Sequence, residues 1–131
     1  MSNDSLLDQF YAAIKAADAE ALALCVDADF ELHWQGTSSI PWAGRWRGVQ
    51  GLLGFFKLLN QHVQVLDVER LHSLSNDEVT VVLLRGRWQI RQSGEQITAM
   101  AANVFSLANG RIRSYTVLNN TAAFAEALAA G

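Results

Sequence analysis

Between Glu31 and Gly48 the chain reads ELHWQGTSSIPWAGRWRG, which sets His33 beside Trp34, Trp42, Trp46 and the sole proline, Pro41. A histidine near its ordinary pKa of about 6.5 moves protons at neutral pH. Indoles supply the apolar walls of small-molecule sites. Further along, QITAMAANVFSLA puts Ala99, Ala101, Asn103, Phe105 and Leu107 on one face of a strand. Small residues beside an amide leave unfilled volume. A buried amide without a partner costs about 1–3 kcal/mol, so Asn103 requires a neighbour, a water or a ligand. Tyr115 and Asn119, two positions of one strand face in RIRSYTVLNN, can line the same cavity. The chemistry these residues suggest is proton transfer by His33, with Asn103 and Tyr115 polarising a carbonyl. Trp34, Trp42, Trp46, Phe56, Trp88 and Phe105 would shape an apolar slot around the substrate.

Orientation decides the role of His33. Strand alternation puts it with Glu31, opposite Phe30, Leu32 and Trp34. If the cavity lies on the Phe30 face, His33 is a strand histidine bonded to backbone or lying at a dimer surface. The remaining candidates are weaker. Arg85, Arg87 and Arg91 read as a solvated edge, because no Gly-rich loop or helix start accompanies them. Cys25 reads as a small buried hydrophobe. His33, His62 and His72 lack close ligand spacing, so no metal site is expected.

The elements that must carry these residues follow from periodicity. Leu6, Phe10, Ala13, Ile14 and Ala17 form a helical stripe, and Asp18 caps a second short helix with Leu22, Cys25 and Val26. DFELHW reads as a strand and QGTSSIPWAG as a loop; Val49, Leu52, Leu53, Phe56 and Leu59 then share a helix face ending near Asn60. HVQVLDVERLHSL, EVTVVLLRGRWQIRQ, QITAMAANVFSLA and RIRSYTVLNN are four successive strands, turned at SND, SGE and ANG. A short helix starts at Thr121. The order predicts an α+β fold, a curved antiparallel sheet covered by three N-terminal and central helices, whose cone leaves a cavity at its mouth. One domain over 1–131 is expected.

Composition excludes several classes. Half the 131 residues are hydrophobic, 18% are charged and the net charge is −3. The basic footprint of nucleic-acid binding is missing, and no apolar run approaches the roughly 20 residues of a membrane span. The N-terminus lacks the basic region of a secretory signal, and a single cysteine allows no internal disulfide. A cytoplasmic, cofactor-free protein binding a hydrophobic small molecule is the expectation.

PWAGRWRGVQGLLGFF, NVFSLANGRIRSY and NNTAAFAEAL resemble motifs of the NTF2-like superfamily, which includes ketosteroid isomerase and the SnoaL-type polyketide cyclases. The resemblance spans essentially the whole chain and implies a cone-shaped fold and a homodimer paired through the sheet. In the isomerase branch an Asp moves the proton; its position, three residues before the closing Gly36, matches His33. The protonated Asp of the oxyanion hole matches Asn103. The Tyr of that hole matches Phe10, placed among the ligand-binding residues but lacking a hydroxyl; Tyr11 is expected to point elsewhere, leaving Tyr115 to substitute. The acidic residue of the family's usual junction is Asn120 here. The resemblance implies an isomerase- or cyclase-type enzyme acting on a carbonyl compound. The alternatives are a non-catalytic ligand-binding or dimerisation module of the same fold, or a partner-protein adaptor.

Overall fold

The apolar stripe of the N-terminal segment folds as α1 (Asn3–Ala16), burying Leu6, Leu7, Phe10 and Ala13. The computed structural model describes residues 3–130. Helix α1 stops where Ala17 takes a positive φ of 52° and the Asp18 N–H returns to the Ala13 carbonyl. Asp18 then caps α2 (Ala19–Cys25), its carboxylate accepting the Ala21 N–H at 3.1 Å. Strand β1 (Val26–Trp34) follows, and after the loop come β2 (Gly44–Arg47) and α3 (Gly48–His62). Four strands complete the sheet: β3 (Val63–Ser75), β4 (Val79–Ile90), β5 (Gln96–Ala108) and β6 (Arg111–Leu118). Helix α4 (Thr121–Ala130) closes the described chain.

The sheet order is β2-β1-β6-β5-β4-β3. The hairpins from β3 to β6 are antiparallel, as their short turns require. The β5–β6 turn has Asn109 and Gly110 at φ of 55° and 74°, the left-handed pair that a two-residue hairpin favours. Strand β1, however, pairs with β6 in parallel. The expected all-antiparallel sheet is therefore mixed: no short turn links β1 to β6, and the chain between them builds the rest of the sheet. A second correction is β2. Residues read as the end of a loop and the approach to a helix pair antiparallel with β1, Leu32 opposite Trp46.

The curved sheet turns one face to the helices. Phe30, Leu32, Trp34, Val82, Leu84, Trp88, Phe105 and Tyr115 are buried there. Alternation along β5 runs as expected, with Ala101, Asn103 and Phe105 inside and Met100 outside.

A cavity on the concave face

Between the concave sheet face and helices α1 and α3 lies a cavity of about 340 Å³. Its floor is Trp34 of β1, Leu84 and Trp88 of β4, Ala101 and Asn103 of β5, and Tyr115 and Val117 of β6. Phe55, Phe56 and Leu59 of α3 form one wall, and Tyr11 and Ile14 of α1 another; Val65, Val68 and Arg70 of β3, with Asn119, complete the lining. A wider groove of about 720 Å³ runs over the outside of the sheet past Glu31, Arg47 and Arg113. The smaller cavity is the better candidate because aromatic walls surround a few polar groups.

Local geometry makes the room. Trp88 lies across Gly86: a Cβ on that glycine would sit 2.2 Å from the indole Cη2. Trp34 lies across Gly36 in the same way, 2.8 Å from the position of such a Cβ. Each glycine lets the indole two positions away lie flat on the backbone.

Asn103 donates its amide N–H to the Tyr11 hydroxyl oxygen at 3.0 Å, leaving the phenolic hydrogen to point elsewhere. This corrects the expectation for Tyr11. Phe10 is fully buried beneath it, and Tyr11 reaches past Phe10 and Phe105 to the amide. The Arg70 guanidinium lies 4.6 Å from the centre of the Tyr11 ring. Burial raises the Tyr11 pKa, opposed by its bond to Asn103 and by the Arg70 charge. Burial, and secondarily Tyr11, raises that of Tyr115 further. Both phenols are therefore neutral donors at neutral pH.

The cavity also gathers Trp34, Phe56, Trp88, Tyr115 and Asn119 as the sequence suggested. It leaves out five other candidates. His33 sits between Leu32 and Trp34, which are buried on the cavity side, so its own side chain points to the outer face. There it pairs in register with Arg45. Neighbouring Glu31 binds Arg45 at 2.6 Å and Arg47 at 3.2 Å, and the Arg45 hydrogen bond foremost holds its carboxyl below the usual range. Phe10 is core, against Phe30, Phe105 and Tyr115. Phe105 is fully buried and stacks on Tyr115 at 4.7 Å. Trp42 lies behind Trp34 and against Phe124, and Trp46 packs on Phe55 while donating to the Trp42 carbonyl at 3.0 Å.

Arg70 was not foreseen. Register shifts beside Leu66 and Leu71 break the alternation of β3. The shift at Leu66 moves Val68 and Arg70 onto the face shared with Val65. Among the described residues no cluster of three or more His, Cys, Asp or Glu could hold a metal ion. No described helix is long and apolar enough to cross a membrane.

Residues 7–115 match the model of the SnoaL-like domain. The chain belongs to the SnoaL-like domain family. This SnoaL-like domain has the NTF2-like cone fold, and solved structures bear that out. An NTF2-like protein from Burkholderia xenovorans superposes with a TM-score of 0.87 at 19% identity, covering 96% of this chain and 95% of that one. TerC, crystallised with polyporic acid, aligns with a TM-score of 0.76 at 16% identity over 97% and 98% of the two chains. A protein from Catenulispora acidiphila with a ketosteroid isomerase-like fold, in complex with trimethylamine, gives 0.69 at 13% identity over 88% and 85%. No curated protein matches this chain. At these identities the likeness carries the fold, and function has to be read from the site.

Proposed function

We propose that the SnoaL-like domain binds a hydrophobic carbonyl compound in the concave cavity and polarises its carbonyl for an isomerase- or cyclase-type reaction. The observation that carries this is the Asn103–Tyr11 hydrogen bond within aromatic walls. Asn103 fixes the Tyr11 oxygen as an acceptor, so the phenolic hydrogen is available to a substrate oxygen. A preorganised donor among aromatic walls favours the developing enolate oxygen over the neutral carbonyl. The described lining residues include no carboxylate or imidazole, so the proton leaves to water. This suits substrates whose C–H is already acidic, flanked by two carbonyls. TerC, crystallised with polyporic acid, supports a small-molecule ligand. The same lack of a lining base favours a second reading, in which the cavity binds such a compound without turnover.

Exchange of the acidic C–H protons of a cyclic 1,3-diketone into deuterated water, followed by NMR, tests the first reading. Tyr11→Phe is expected to slow the catalysed exchange by roughly 10²-fold, as for loss of one oxyanion donor, and Asn103→Leu, which removes the group that orients the Tyr11 hydroxyl, to slow it by less. His33→Ala should exchange at the wild-type rate. Saturable binding with no exchange above background would select the second reading, and abolition by His33→Ala would refute the role given to Tyr11 and Asn103.

We also propose that the domain pairs with a second copy through the outer sheet face. Met100 and Leu118 are 57% and 41% exposed there and flank a shallow apolar depression with Leu83 and Ala102. Covering that patch removes apolar surface from water. Sedimentation velocity at micromolar concentration should give a dimer for wild type and a monomer for Met100→Lys with Leu118→Glu. A wild-type monomer would overturn this.

A further inference from the structure

We infer that the cavity selects an anionic ligand, a hydrophobic aromatic acid whose carboxylate seats on Arg70 at the mouth. The inference rests on the small-molecule reading of the cavity and adds a charge class to it. Arg70 is the one charged side chain among the described lining residues. Its side chain is half exposed, and two contacts hold the guanidinium in place: the Tyr11 ring beneath it and Asp8, whose Oδ1 lies 3.0 Å from Nη1. A guanidinium carries five N–H donors in a planar fork, and Asp8 engages one of its nitrogens. The fork is thus oriented in advance and retains donors for a second carboxylate.

The surroundings reinforce the choice of charge. Val65 and Val68 stand beside Arg70 and are nearly half exposed, so an apolar ligand body would pass them while its acidic group stays at the wetter end. Deeper in, Asn103 and Tyr11 present neutral donors. A cationic ligand would meet Arg70 with no carboxylate among the described lining residues to pair with, since Asp8 lies outside the cavity lining. Arg70 is therefore assigned as a specificity-determining residue, separate from the polarising pair.

The test compares two probes of one shape, 2-naphthoate and 2-naphthamide, by isothermal titration at low salt and about pH 7.5, where the acid is ionised. Wild type is expected to bind the acid roughly tenfold tighter than the amide, as a charge-assisted bond at a half-exposed site provides. Arg70→Gln should bring the two affinities within about twofold by weakening the acid alone. Asp8→Asn, which removes the competing carboxylate, should widen the preference. Equal affinity of wild type for both probes, or equal weakening of both by Arg70→Gln, would overturn the charge assignment and leave the cavity standing as a binding site. If neither probe binds wild type, both readings fall.

Discussion

Gly86→Ala is expected to destabilise the protein by about 1–3 kcal/mol and to abolish ligand binding in the cavity. The added methyl would lie 2.2 Å and 2.3 Å from two indole carbons of Trp88. The ring cannot yield as the tip of a flexible chain would. It is 8% exposed and packed against Phe124, with centroids 5.6 Å apart. Cores resist small-to-large changes because they are close-packed, so either the strand shifts or the indole swings into the cavity it helps to floor. Thermal unfolding should show the midpoint falling by roughly 4 °C per kcal/mol for a chain of this size. Tryptophan emission should change at the same time. Trp88→Leu in the Gly86→Ala background should recover part of the lost stability, since the two changes share one contact and will not add. A Gly86→Ala protein that melts and binds like wild type would refute the placement of Trp88.

Phe10→Ala should cost more, about 3–5 kcal/mol, as expected when a fully buried phenylalanine is truncated. Phe10 has no exposed surface, and its ring meets Phe30, Phe105 and Tyr115 at centroid distances of 6.1, 5.9 and 5.7 Å. Its loss removes the support under the floor, yet Phe10 itself does not line the cavity. Chemical denaturation should therefore report a large loss of stability. Affinity for a bound naphthoate, measured well below the new midpoint, should change by less than about threefold, under 1 kcal/mol. A small stability loss with a large affinity loss would reverse this and return Phe10 to the pocket wall, where the family resemblance put it.

Phe10 and Tyr11 mark where sequence reasoning was strong and where it stopped. Helical spacing identified the buried face of α1, on which Phe10 sits. Alternation along β5 put Asn103 inside with Ala101 and Phe105, and the cost of burying an amide required a partner for it. Neither signal could choose that partner. Tyr11 is 92 positions away, and its ring reaches Asn103 only because of how α1 lies on the sheet. The tryptophans divide similarly: Trp34 and Trp88 line the cavity, while Trp42 and Trp46 support it from behind and beside.

By itself, then, the sequence determined what short-range sterics and turn chemistry determine. That covers, among the described residues, the four helices, five of the six strands, the residues that share one face of β5, the Asn-Gly hairpin, and the neighbours that oppose His33 across β1. Tertiary structure decided which strand β1 joins and in which direction, which face of each strand became concave, and that Arg70 turns inward beyond the shift at Leu66. The physical reason is range. Periodicity and turn preferences act between residues a few positions apart. The site is made by contacts between α1, α3, β3 and β5 that exist only once the sheet has curved and the helices have packed on it.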